Sequence, residues 1–326
     1  DTCFGNVLDL ARETIEPLET LNLKALDKLR DLVTLEGKVS SEMIEANQSV
    51  AHGVAWLATY TESISQMVKW AENLSKDMKF GQVEQLLVQI GVGEYLGQIV
   101  GGIMMSQGEI FRLSDIGIST LDLSDFQTQE VQELLSKGNS QEARTLLVDM
   151  MQEYSANITV GDSGLDEDLE MIREQFRKFS IDRIEPHAHE WHLKDELIPL
   201  EVISELSELG VFGLTIPEEY GGLGLSKASM AVVSEELSRG YIGVGSLGTR
   251  TEIAAELILC GGTEEQKKQW LPGLASGEIL PTAVFTEPNT GSDLGALRTR
   301  AIKSENGDYQ ITGIKLGSHM HLVLML

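Results

Sequence analysis

The sequence predicts an α+β fold that is mostly α, in which helices fill most of the chain and strands begin near residue 280. Apolar residues recur at helical spacing before Gly277, and β-branched and aromatic residues become frequent after it. A polar, glycine-containing stretch, "SANITVGDSGLDEDL", divides the helical part in two. We therefore expect a helical extension over 1–155, a linker over 156–166, a helical domain over 167–280 and an incomplete β-domain over 281–326.

The extension is predicted to be almost entirely helical from residue 6 to residue 155. In "AHGVAWLATYTESISQMVKWAENL" the residues near helical spacing are Val54, Leu57, Ala58, Thr61, Ile64, Val68 and Ala71. The pattern stops at Gly81 and resumes in "VEQLLVQI". "TQEVQELLSKGNSQEARTLLVDMMQEY" predicts two helices separated by Gly138-Asn139. Short amphipathic helices of this kind pack as a bundle.

The second helical region is interrupted by "PEEYGGLG" and by "CGGTEEQKKQWLP". In the latter, Gly261-Gly262 can end one helix, and Thr263 can cap the next in a capping box with Gln266. We expect Pro272 and Gly277 to close that helix.

Strand signals appear near the end of the sequence. "EILPTAVF" is rich in β-branched and aromatic residues, and "GDYQITGIK" follows the turn signal Asn306-Gly307. Both stretches are expected to be strands.

Composition limits the kinds of partner. The 326 residues are 42% hydrophobic, which is ordinary for a folded core. Lys and Arg number 25 against 51 Asp and Glu, a net charge of -26, so phosphate backbones and anionic lipid are repelled. We expect neither a nucleic acid nor a membrane as partner, and an anionic substrate would need a local basic residue.

Cysteine usage and the first residues bear on the compartment. The two cysteines, Cys3 and Cys260, cannot form a disulfide framework, which favours a cytoplasmic protein. The first residues do not resemble a signal peptide, and an 18-residue apolar run, as a membrane span would need, is absent from the sequence.

"GVGEYLG" (91–97) imitates a dinucleotide-binding fingerprint. That motif needs a strand before it and a helix after it, and here it lies inside a helical region. Gly93, Gly97 and Gly101 recur every four residues, so we interpret them as a small-residue stripe for close helix packing. The stripe could pack on the rest of the protein or on a second subunit.

"HAHEWH" (187–192) imitates a metal site, but only His189 and His192 share a helical face. The spacing is not the H-E-x-x-H pattern of zinc enzymes, and we predict no metal.

Arg250 lies in the apolar helical stretch "GSLGTRTEIAAELI". A surface or salt-bridged arginine is one interpretation, since Glu252 and Glu256 are close in sequence. The other is a clamp for a carboxylate or phosphate, because a guanidinium offers a planar pair of donors. The residues alone favour the first.

"AVFTEPNTGSD" (283–293) passes from a hydrophobic start into hydroxyl and glycine residues. A simple turn does not require Thr286, Thr290, Ser292 and Asp293 together. Hydroxyls and free backbone N–H groups beside Gly291 suit the oxygens and nitrogens of a bound cofactor.

Three stretches in order, "PEEYGGLGL", "GGTEEQKKQWLPGLASGE" and "TEPNTGSD", resemble the acyl-CoA dehydrogenase family over residues 165–315. Ordinary family members lack the first 155 residues. "AHGVAWLATY", "PHAHEWHLKDELIP" and "SEELSRGYIGVGSLGTR" are similar to a member of the family that carries an extra helical N-terminal region.

The resemblance implies FAD as cofactor, with Phe285, Thr286, Gly291 and Ser292 contacting it. It implies α,β-dehydrogenation of a short branched dicarboxylic acyl-CoA, (2S)-methylsuccinyl-CoA, to mesaconyl-CoA in the ethylmalonyl-CoA pathway. Ser292 and Arg250 would contact this substrate. An electron-transfer flavoprotein would accept the electrons, and the enzyme would be a homo-oligomer.

The resemblance also implies that the catalytic base, a Glu of the family, lies beyond residue 326, so we assign none in this chain. Glu218, Glu219 and Glu287 are interpreted as loop or capping groups. After Lys315 the sequence departs from the family: 317–320 resembles a cloning scar, and 321–326 could be a further strand. Two alternatives stay open: an acyl-CoA dehydrogenase or oxidase of other specificity, and an inactive fragment that acts as a helical interaction module.

Overall fold

The computed structural model describes residues 2–152, 160–282 and 284–316. The chain divides into two units, Asp1–Gly164 and Leu165–Leu326. Within the described ranges, none of the helices is both long and apolar enough to cross a lipid bilayer. The predictions for 156–159 and for 317–326 lie outside the described residues, as does Ala283.

The first unit is a helical bundle with two short strand pairs. Its helices are α1 (Val7–Glu13), α2 (Ile15–Val33), α3 (Ser41–Ala46), α4 (Gln48–Lys76), α5 (Gln82–Gly101), α6 (Thr120–Phe126), α7 (Gln129–Glu133) and α8 (Gln141–Gln152). Its strands are β1 (Thr34–Leu35), β2 (Lys38–Val39), β3 (Ile103–Ser106) and β4 (Glu109–Phe111). A π-helical turn, Leu134–Gly138, extends α7.

The core of the first unit forms around α4, which packs against α2 and α5. The predicted face of α4 is buried at every position except Ala58, which is exposed. That outcome confirms the helical periodicity, since residues three and four apart lie on one face.

The expectation of an almost purely helical extension is wrong at the two strand pairs. β1 and β2 are joined by Glu36-Gly37, both with positive φ, at 51° and 78°. Two central residues of this kind make a tight hairpin turn that matches the strand twist. Each strand pair is too short to give a period-two pattern in the sequence.

Two glycines, Gly93 on α5 and Gly138 at the end of the π-helical turn after α7, allow these two segments to pack closely. A Cβ on Gly93 would lie 3.0 Å from the Cα of Gly138 and 2.9 Å from the nitrogen of Asn139. This confirms close packing at Gly93 and the break at Gly138-Asn139. At Gly97 and Gly101 nothing of the described chain lies within 4 Å of such a Cβ, so packing of these two positions on another surface stays a prediction.

Residues 160–164 are attached to the first unit. The Asp162 N–H donates to Oε1 of Glu84 at 2.8 Å, and the indole N–H of Trp70 donates to the Ser163 carbonyl at 3.2 Å. Oε2 of Glu84 accepts from the N–H of Gly81, the N-cap residue of α5. Glu84 therefore caps a helix and holds the chain end of this unit.

The second unit begins with helices and ends with a hairpin. Its helices are α9 (Glu167–Phe179), α10 (Glu185–Lys194), α11 (Leu200–Glu208), α12 (Lys227–Gly240), α13 (Ile242–Gly261) and α14 (Glu264–Ala275), and its strands are β5 (Arg300–Lys303) and β6 (Tyr309–Thr312). A π-helical turn, Ser180–Ile184, joins α9 to α10. A hydrophobic core lies between α9, α12 and α13 around Phe212, which is 1% exposed.

The helix boundaries near residue 262 follow the prediction with one correction. α13 ends at Gly261, and Thr263 and Gln266 form the reciprocal capping box. Pro272, however, lies inside α14, which continues to Ala275. Pro272 is the ninth residue of the helix, which continues for three more residues although proline has no N–H to donate. The helix ends close to Gly277, whose φ is +75°.

The predicted strand in "EILPTAVF" is wrong for its described residues, which form neither helix nor strand. The second predicted strand is confirmed as β6, which pairs antiparallel with β5. The turn between them contains Gly307 at φ +93°, a conformation that glycine adopts without strain.

Candidate cofactor and substrate site

The loop that follows residue 285 is built on a tight turn. The N–H of Glu287 donates to the Thr290 carbonyl at 2.8 Å, and the N–H of Thr290 donates back to the Glu287 carbonyl at 3.1 Å. Pro288 and Asn289 occupy the two corner positions, which these residue types favour. The hydroxyl and glycine residues thus follow a corner of defined shape.

A buried carboxylate closes the loop. Glu287 is 6% exposed, and its Oε1 accepts from the N–H of Thr299 at 2.9 Å and from the Thr299 hydroxyl at 2.6 Å. Its Oε2 accepts from the N–H of Arg298 at 2.8 Å. The Thr299 hydroxyl, the two backbone donors and Lys315 stabilise the charged form and lower the pKa of Glu287 to about 2.

Lys315 and Leu316 hold the segment before the turn. The ammonium of Lys315 donates to the Phe285 carbonyl at 3.1 Å and to Oε1 of Glu287 at 3.1 Å. The N–H of Leu316 donates to the Thr286 carbonyl at 2.8 Å. Both carbonyls of this segment therefore accept hydrogen bonds from two adjacent residues.

The polar groups on the rest of the loop are free to bind a ligand. Within the part of the chain that the structure describes, the hydroxyls of Thr286 and Ser292 have no hydrogen-bond partner, and both residues are exposed. Nothing lies within 4 Å of a Cβ placed at Gly291, so a flat group can approach the backbone there. These free donors fit a cofactor rich in acceptor oxygens and nitrogens.

Arg250 lies on α13 and is half-buried. The neighbouring acids do not pair with it: Glu252 lies 2.8 Å from the Lys227 ammonium, and Glu256 also pairs with Lys227. The interpretation of Arg250 as bound to these glutamates is therefore wrong. Burial lowers the pKa of Arg250, and among the described residues this arginine has no acidic partner.

The predicted site residues divide into two places. Phe285, Thr286, Gly291 and Ser292 share the loop organised by Glu287. Arg250 belongs to a helix, and no hydrogen bond or ion pair joins it to the loop in the described ranges.

The other two motifs lie within helices. "GVGEYLG" lies within α5, with no strand before it, as its interpretation as a packing segment requires. His187 stacks on Trp191 with ring centroids 5.7 Å apart, on α10. Among the described residues, no three His, Cys, Asp or Glu side chains come together as a metal site would need.

Sequence reasoning missed Lys315. The sequence placed Glu287 among loop or capping groups, and in the structure it is a loop group whose partners lie 11 to 28 residues away, too far for a local pattern to predict. A carboxylate directly before a Pro-Asn turn indicates a group that binds loop backbone. A single lysine at the end of a predicted strand does not indicate any particular partner.

Comparison with known proteins adds independent information. Residues 166–278 match the family model of the acyl-CoA dehydrogenase N-terminal domain. The whole chain is similar to (2S)-methylsuccinyl-CoA dehydrogenase of Cereibacter sphaeroides, with 56% identity over 328 residues, which covers 99% of this chain and 59% of that protein. An acyl-CoA dehydrogenase of Bacillus subtilis (strain 168) is 40% identical over 147 residues, or 45% of this chain and 38% of the relative.

Among solved structures, glutaryl-CoA dehydrogenase from Mycobacterium smegmatis in complex with FADH2 is 33% identical, with a TM-score of 0.42. The match covers 46% of this chain and 38% of that one. The chain thus spans less than two thirds of the length of these relatives.

Proposed function

We propose that the chain is an acyl-CoA dehydrogenase that serves the α,β-dehydrogenation of (2S)-methylsuccinyl-CoA to mesaconyl-CoA, a step of the ethylmalonyl-CoA pathway. The observation that carries the proposal is the 56% identity that extends over 99% of the chain. The relatives from Bacillus subtilis and Dictyostelium discoideum match 45% of the chain each, whereas the similarity to the methylsuccinyl-CoA enzyme includes the first unit.

FAD fits the loop at 285–292. Thr286 and Ser292 offer unpaired hydroxyls, Gly291 allows close approach, and Phe285 and Thr286 present backbone that Lys315 and Leu316 hold in place. When bound, FAD supplies the acceptor for the hydride that leaves Cβ of the acyl chain. The chain's own contribution is to bind this group and orient it.

Arg250 is proposed to pair with the free carboxylate of the substrate. The protein carries a net charge of -26, so an anionic acyl group needs a cation close to it. Arg250 is half-buried with no acidic partner among the described residues, so its donors remain available. A guanidinium matches a carboxylate with two parallel hydrogen bonds. Ser292 would also contact the substrate.

The remaining roles follow from the same proposal. Proton removal from Cα needs a carboxylate base, and none of the glutamates at 218, 219 or 287 suits it. Glu287 in particular is held as an anion by four donors, so it is a poor proton acceptor. We propose a cytoplasmic homo-oligomer that passes electrons to an electron-transfer flavoprotein.

The experiment is an anaerobic visible spectrum of the full natural polypeptide, before and after addition of methylsuccinyl-CoA. We expect a flavin band that bleaches with this substrate and less with a monocarboxylic acyl-CoA. A folded protein without a flavin band would refute the proposal and favour a helical interaction module. Rapid peroxide formation in air would instead favour an acyl-CoA oxidase.

A further inference from the structure

The geometry points to Glu287 and Lys315 as a positioning pair that sets the flavin-facing backbone at Phe285-Thr286 before the cofactor binds. The inference rests on the proposed function and adds a role for two residues outside the predicted site. Neither residue needs to touch FAD, because both act through the loop between them.

Glu287 joins parts of the chain that are distant in sequence. Its two oxygens accept from Arg298, Thr299 and Lys315, while its own backbone closes the turn with Thr290. A carboxylate offers about four acceptor positions on two oxygens, which no other side chain of this size provides. With 6% exposure, it exchanges few of these bonds with water.

Lys315 connects the carboxylate to the flavin-facing segment. Its ammonium has three donors, and two of them reach Oε1 of Glu287 and the Phe285 carbonyl. The lysine side chain is 28% exposed, so its charge is balanced mainly by Glu287. Removal of either partner would leave the Phe285 carbonyl without a defined direction.

The direction of one carbonyl determines the direction of the next N–H. A trans peptide is planar, so its C=O and N–H point to opposite sides. When Lys315 holds the Phe285 carbonyl, the Thr286 N–H points away from Lys315. That N–H has no protein partner among the described residues, and neither has the Thr286 hydroxyl. The pair thereby presents the Thr286 N–H on the face opposite to itself.

Preorganised donors increase affinity because the loss of conformational entropy occurs on folding and not on ligand binding. We therefore expect Glu287→Gln and Lys315→Met each to weaken FAD binding. In Glu287→Gln, one carboxylate oxygen becomes an NH2 group, which is a donor. This group would face either the N–H of Arg298 or the N–H of Thr299, so two donors would meet and a hydrogen bond would be lost. In Lys315→Met, the methylene stem stays and only the donors are lost.

The test uses apoprotein of the full natural polypeptide, titrated with FAD and followed by flavin fluorescence. We expect each single variant to bind FAD about tenfold more weakly, and the double variant to lose little more than either one, because the two residues act through one contact. Glu305→Gln and Lys303→Met are matched controls that change the same charges on the exposed hairpin. They should bind FAD like wild type.

The flavin itself distinguishes positioning from general stability. A displaced Thr286 N–H should shift the visible spectrum and the reduction potential of bound FAD in both variants. Lower thermal stability with an unchanged spectrum and potential would mean a merely structural role and would overturn the inference. Wild type that binds FAD no better than the variants would also overturn it. Wild type that binds no FAD would refute the proposed function as well, which is a separate outcome.

Discussion

Gly93 and Gly138 are in backbone contact: a Cβ on Gly93 would lie 3.0 Å from the Gly138 Cα, and one on Gly138 would lie 2.9 Å from the Gln89 carbonyl. The atoms in the way are backbone, which cannot move aside as a flexible side chain can. The contact lets α5 cross the end of the α7 segment without any side chain between them.

The first prediction concerns this crossing. We expect Gly93→Ala to lower the free energy of unfolding of the first unit by about 1–3 kcal/mol, because the added methyl group overpacks the contact. Gly97→Ala, on the same helix with open space around it, should instead raise it by up to about 1 kcal/mol through helix propensity. Urea unfolding followed by circular dichroism measures both, and equal effects would contradict the contact.

A second prediction concerns Glu236, which is 1% exposed and accepts hydrogen bonds from Arg173, Arg177 and Arg239. We expect Glu236→Gln to destabilise the second unit by about 3–5 kcal/mol, since the buried Arg173 and the largely buried Arg177 would lose the buried counter-charge that they share.

The exposed pair of Arg183 and Glu205 serves as the control for Glu236. Glu205→Gln should cost about 1 kcal/mol or less, because water screens an exposed pair. The denaturant midpoints of the two variants, compared with wild type, measure both effects. Similar losses of unfolding free energy would mean that burial is not what makes Glu236 important.

The third prediction concerns substrate choice. Arg250→Met should reduce kcat/KM for methylsuccinyl-CoA by a factor that corresponds to about 2–5 kcal/mol, because the substrate carboxylate loses its partner. A monocarboxylic acyl-CoA of similar size should be affected less. Lys227→Met is the control, since this lysine is already paired with Glu252 and Glu256. An equal loss of kcat/KM for both substrates would show that Arg250 does not recognise the carboxylate.

The fourth prediction is a pH dependence. The pKa of Glu287 lies near 2 in the folded protein, below its ordinary value of 4.5. A lowered pKa means that the carboxylate stabilises the fold above about pH 4.5 and that this contribution fades as the pH falls toward about 2. The difference in unfolding free energy between wild type and Glu287→Gln should therefore be constant from about pH 5 to 7 and shrink below that range. A difference that does not change with pH would show that charge is irrelevant there.

Short-range signals in the sequence were reliable. The capping box of Thr263 and Gln266, the break at Gly138-Asn139 and the turn at Asn306-Gly307 all appear as predicted. Each depends on residues at most a few positions apart, so the local sequence contains the whole interaction.

Predictions failed where distant residues decide. Pro272 was expected to end a helix, yet α14 extends past it, packed through Leu271 and Leu274. The alternative in which Arg250 pairs with Glu252 or Glu256 is wrong, because both glutamates pair with Lys227 of another helix. In each case residues outside the local sequence decide the outcome.

The sequence by itself determined the mostly helical class, the end of the helical region near residue 280, and the loop of hydroxyl and glycine residues at 286–293. Periodicity and turn chemistry are local, so they can be read along the chain. Only the tertiary structure decided that Gly93 packs closely while Gly97 does not, and that Lys315 reaches Glu287 across 28 residues. Those contacts depend on which surfaces meet when the elements pack, and that choice is made by burial over the whole unit.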